Sequence, residues 1–122
     1  MRLAISNIAW DTPEDEAVAQ LLRRHGIDAI DVAPSKYFPD PVQACPQGIA
    51  RLRKWWAERG IEITGVQSLL FGAQGLNIFG PIDLQDAMLK HLAAVCRIGA
   101  RLRARRLVFG SPKNRDRSGL TT

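Results

Sequence analysis

At 122 residues, 46% hydrophobic and 24% charged, the chain is long enough for one domain with a real core and has ordinary globular composition. Charge interrupts its apolar stretches every few residues, and Met1-Arg2-Leu3-Ala4-Ile5 leads straight into a strand pattern, so neither a transmembrane span nor a signal peptide is expected and the expected compartment is the cytoplasm. The formal charge of +5, from 17 basic and 12 acidic residues, suits nucleic acid, anionic ligands or plain solubility, and its distribution has to decide among them.

Residues 3–10, Leu-Ala-Ile-Ser-Asn-Ile-Ala-Trp, read as a first, mostly buried strand. Thr12-Pro13-Glu14-Asp15 then announces a helix: Thr12 as cap, Pro13 at the first position, and acids at the positive end of the dipole. Ala17, Val18, Leu21 and Leu22 form its expected buried stripe, and Gly26 ends it.

A second strand over residues 29–34 is followed by a loop rich in Pro, Tyr and Phe, and then by a helix over about residues 47–59. Ile49, Leu52, Trp55 and Trp56 supply its apolar face and Gly60 its stop. Residues 61–68 form the third strand. A long loop mixing glycines with apolar side chains suits either a lid or a core cover, and Asp83 then caps a helix to about residue 103 with Leu84, Met88, Leu92, Val95 and Cys96 inward. Residues 106–110 form the fourth strand.

Strands separated by single helices are parallel with right-handed crossovers, so the expected fold class is α/β: parallel βα repeats with four strands and three helices, in one domain over residues 1–122. Such a sheet is either open and doubly wound or one half of an eight-stranded barrel. The turn Trp10-Asp11-Thr12-Pro13 lacks any Gly-rich phosphate loop, which weighs against nucleotide binding.

In either architecture the carboxyl ends of the strands converge on one face, and polar residues there are candidates for ligand contact. These are Asn7, Asp31, Gln67 with Ser68, and Lys113, Asn114 and Arg115. Lys113 and Arg115 suit a phosphate or carboxylate. The run Arg97, Arg101, Arg103, Arg105 and Arg106 sits at a helix end, where the dipole favours cations, so a solvated face is preferred over a nucleic-acid patch. His25 and His91 lie on helices away from the strand ends, and Cys45 and Cys96 are far apart, so neither pair suggests a metal site or a disulfide.

Three stretches, Ile27-Asp-Ala-Ile-Asp-Val-Ala-Pro-Ser-Lys36, Gly65-Val-Gln-Ser-Leu-Leu-Phe-Gly72 and Leu107-Val-Phe-Gly-Ser-Pro-Lys-Asn-Arg115, resemble the xylose-isomerase-like sugar phosphate isomerase/epimerase family. The resemblance implies the N-terminal half of a TIM (β/α)8 barrel, a fold of about 250 residues. It also implies proton-transfer isomerisation of a sugar or related hydroxy-carbonyl compound, with a divalent metal such as Mn or Mg in a full-length relative. The metal ligands of that family come from later strands, so no cofactor is assigned to this chain and no catalytic residue is carried over. Asp31, Gln67, Lys113, Asn114 and Arg115 carry over as wall or substrate contacts, the ligand being a sugar or sugar phosphate. A half barrel leaves two strand edges unpaired, which predicts a homo-oligomer. The alternatives are a non-catalytic module that binds an anionic small molecule and, behind it, a relative of abasic-site endonucleases.

Overall fold

A computed structural model describes residues 1–120. Four strands, β1 (Ile5–Ser6), β2 (Ala29–Val32), β3 (Glu62–Gln67) and β4 (Arg106–Val108), form one parallel sheet in the order β1-β2-β3-β4. Helices α1 (Asp15–Arg24), α2 (Pro46–Glu58) and α3 (Ile82–Arg101) connect them in turn. The expected α/β class, with four parallel strands and three helices, is therefore what the chain adopts. No helix among the described residues is long and apolar enough to cross a membrane.

Sequential order with right-handed crossovers puts every helix on one side of the sheet. The core shows this directly: Ile30, Val32, Ile63 and Val66 pack with Ala19 and Leu22 of α1, Ile49 and Trp56 of α2, and Val95 and Ile98 of α3. A bulge in β3 makes the arrangement possible. Ile63 pairs with Ile30 and Val66 with Val32, three residues against two, and the extra residue is Thr64. Without it strict alternation would turn Ile63 and Val66 to opposite faces.

The three helices end in the same way. At each C-terminus two backbone bonds close a Schellman motif: Ile27 to Leu22 with Gly26 to Arg23, Ile61 to Trp56 with Gly60 to Ala57, and Ala104 to Gly99 with Arg103 to Ala100. The left-handed residue is Gly26 (φ 70°) after α1 and Gly60 (φ 75°) after α2, but Arg103 (φ 60°) after α3.

Several local expectations are revised. The first strand is short, because Ser6 Oγ accepts from the Ile8 N–H (3.2 Å) and the chain turns into a 3-10 segment at Asn7–Ala9. It is an edge strand, and Leu3, Ile5 and Ile8 are exposed. Thr12 does not cap α1; the helix follows a 3-10 turn at Thr12–Glu14, whose entry is closed by the Asp11 N–H donating to Glu14 Oε2 (2.9 Å). Asp15 accepts from Trp10 Nε1 (2.6 Å) and from the Tyr37 hydroxyl (2.8 Å), which fixes the rotation of α1. Its inward residues are consequently Asp15, Val18, Ala19 and Leu22, while Ala17 and Leu21 face solvent. In α3, Asp83 lies in the first turn without capping it, and Ala94, Ile98 and Gly99 are buried where Cys96 is exposed.

Candidate functional site at the carboxyl ends of the strands

A cleft of 390 Å³ opens where β3 and β4 end. Its polar lining is Gln67, Ser68, Ser111, Lys113 and Asn114, and Leu70, Phe71 and Val108 add apolar wall. The parallel register brings these together from distant sequence positions, since Gln67 pairs with Val108 just before both chains leave the sheet. Ser68 holds φ at 52°, a left-handed conformation that a residue with a Cβ adopts at a cost, and strain of this kind concentrates at functional sites.

The floor of the cleft is tied down by the side chain of Asn114, which is 2% exposed. Its Nδ2 donates to the Leu76 carbonyl (2.7 Å), its Oδ1 accepts from Ser111 Oγ, and its backbone carbonyl accepts from the Ile78 N–H (2.9 Å). With its polar atoms used in this way, Asn114 shapes the site by joining the loop after β4 to the loop after β3. Lys113 lines the cleft with an exposed side chain, and Arg115 is exposed outside it, its Nε against the Ser111 carbonyl (3.4 Å).

Gln67 projects from the sheet face opposite the helices and donates from Nε2 to Ser6 Oγ (2.5 Å). Asp31 lies on the same face but does not line the cleft. It accepts from Thr64 Oγ1 (3.1 Å), and Arg106 Nη2 lies 3.7 Å from the same oxygen. Gly65 makes room for this carboxylate: a Cβ there would sit 2.7 Å from Asp31 Oδ1. Thr64, Gly65 and Ser6 do not stand out in the sequence as site residues, and Arg106 reads there only as part of a solvated basic run. The signal for Gly65 was present, because a glycine within a strand often marks a close approach.

Asn7 is buried and acts as a clasp between strand ends, its Oδ1 accepting from the Ala33 N–H (2.7 Å). Among the described residues its Nδ2 and the Trp56 Nε1 have no hydrogen-bond partner, and both N–H groups draw the nearby Tyr37 pKa down. Burial outweighs them: desolvation first, then the hydrogen bond to Asp15, leaves the phenol well above its ordinary value and protonated. His91 packs inward with Nε2 3.0 Å from the Leu69 carbonyl, a structural contact for the loop after β3.

Among the described residues no three or more His, Cys, Asp or Glu side chains are grouped to hold a metal ion. Asp31, the carboxylate expected at the strand ends, is already engaged by Thr64 and Arg106, so the described residues do not fit a divalent metal. No family model matches the chain, and no curated protein or solved structure is significantly similar to it.

Proposed function

We propose that this chain forms the ligand-binding wall of a xylose-isomerase-like sugar phosphate isomerase/epimerase, and that a small sugar-phosphate-like molecule occupies the cleft between β3 and β4. The observation that carries the reading is that Gln67 and Lys113 line one cleft at the carboxyl ends of two parallel strands. An amide and the Ser68 and Ser111 hydroxyls suit the directional hydrogen bonds of a polyol. The Lys113 ammonium suits a phosphate as a point charge. Leu70, Phe71 and Val108 offer an apolar surface to the carbon face of a sugar ring.

In this reading Asp31, Arg106 and Thr64 form a charge-compensated floor, and Arg115 stands outside the cleft. The free edges of β1 and β4 are assigned to pairing with further strands from a second copy of the chain. A non-catalytic module binding an anionic small molecule is the second reading, favoured by the engagement of Asp31 by Thr64 and Arg106.

Calorimetric titration with a panel of sugars and their phosphates tests the binding claim common to both readings. Saturable binding is expected for phosphorylated sugars, with Lys113→Gln or removal of the phosphate weakening it about tenfold, the scale of one charged hydrogen bond. Absence of binding by every phosphosugar at millimolar concentration sinks it. A neutral sugar that binds as tightly as its phosphate would remove the role given to Lys113.

A further inference from the structure

The amino ends of the strands hold a second and larger cavity, of 560 Å³. Four arginines line it, Arg2, Arg53, Arg103 and Arg105, against two acidic residues, Asp28 and Glu62. Both carboxylates are occupied: Arg2 pairs with Asp28 (2.9 Å) and Glu62 (2.9 Å), and Arg105 with Glu62 (3.3 Å). The hydrogen bonds to Asp28 and then Glu62 hold the Arg2 pKa above its ordinary value. Among the described residues Arg53 and Arg103 have no carboxylate partner, so two positive charges are left over.

Helix dipoles offset only part of that excess. α2 and α3 both end at this cavity, and each C-terminus contributes about half a negative charge. Roughly one positive charge remains without a counterpart. The floor between the arginines is apolar, made by Ile61, Ile63 and Leu102, and the volume lies within the range of small-molecule sites.

Arg103 itself supplies an independent observation. Two of the three Schellman motifs use glycine at the left-handed position, and the third uses an arginine at φ 60°. The chain tolerates backbone strain at the one helix end where an arginine holds the left-handed position and lines the cavity. Glycine would satisfy the same backbone bonds without that strain, so the motif alone does not call for arginine here.

We propose that this cavity is a binding site for a phosphate-bearing small molecule, with the unpaired guanidiniums of Arg53 and Arg103 holding the phosphate and the apolar floor receiving the rest. Guanidinium forks match phosphate oxygens two at a time, which a single ammonium cannot do. The site is at the opposite end of the sheet from the cleft between β3 and β4 and does not depend on how that cleft is read.

The test is an amide chemical-shift titration with inorganic pyrophosphate at about 0.1 M salt, where distant surface charges are screened. Saturable shifts are expected at Gly60, Arg103 and Arg105. Arg103→Gly is the informative variant, because it is expected to unfold at the same or a higher denaturant concentration while weakening pyrophosphate at least tenfold. Arg53→Gln is expected to weaken it similarly, and Lys90→Gln, on the exposed face of α3 and outside both sites, to leave it unchanged. Wild-type affinity in both arginine variants, shifts confined to residues around Lys113, or equal non-saturating responses to sulfate and pyrophosphate would each overturn the proposal.

Discussion

On the helix-covered face of the sheet Ile30, Val32, Ile63 and Val66 are each 3% exposed or less, whereas the opposite face presents Ser6, Asp31, Gln67, Arg106 and Val108 at intermediate or full exposure. The covered face is held by shape and area. On the open face polar side chains meet each other, Gln67 with Ser6 and Asp31 with both Thr64 and Arg106. The same four strands therefore respond to substitution by two different physical rules: loss of packed volume on one side, and loss of charge compensation or steric room on the other.

The largest effect is expected on the covered face. Trp56 is fully buried, its ring 4.8 Å from that of Trp55 and 6.4 Å from that of Trp10 between centroids. Trp56→Ala removes the largest buried side chain of the core and is expected to cost about 3–5 kcal/mol in chemical denaturation. A loss below about 1 kcal/mol would mean that α2 is not the packed layer described here.

On the open face the most sensitive position is the one with no side chain. Gly65→Ala places a methyl group against a carboxylate fixed by Thr64 and Arg106, at an expected cost of about 1–3 kcal/mol. The double variant Asp31→Ala with Gly65→Ala tests the cause: removing the carboxylate should restore room, making the two losses strongly non-additive. Additive losses in the denaturation midpoints would place the strain of Gly65→Ala elsewhere, in the backbone of the bulge.

These positions also show what the sequence makes legible. Apolar runs bounded by turn chemistry locate all four strands, the buried β2 and β3 and the exposed edges β1 and β4 alike. The helix ends at Gly26 and Gly60 are equally plain, since the left-handed position favours glycine. The corresponding end at Arg103 hides behind a charged residue that does the same backbone work. The bulge is hidden for a different reason: Thr64 is an ordinary strand residue, and only pairing with β2 reveals it as the extra one. In α1 the stripe is misjudged because Asp15, a charged residue, is turned inward by Trp10 and Tyr37, contacts that no local pattern encodes. Gln67 and Lys113, chosen by the rule that strand ends converge, line the same cleft, whereas Asn114, chosen by that rule too, is buried as a tie between loops.

The smallest effect gives the sharpest test of whether the open face is open. Arg106 is 61% exposed at its side chain and 3.7 Å from Asp31, so their attraction is screened by water. Arg106→Ala is expected to cost less than about 1 kcal/mol, with the difference from wild type shrinking further in 1 M salt. A second copy docked over this face would change the arithmetic, because a desolvated pair that loses one partner leaves a buried charge and costs about 3–5 kcal/mol. Measuring Arg106→Ala across a hundredfold range of protein concentration separates the cases. A small loss independent of concentration fixes the face as solvated, whereas a loss that grows with concentration assigns it to an interface between copies and links it to the unpaired edges of β1 and β4.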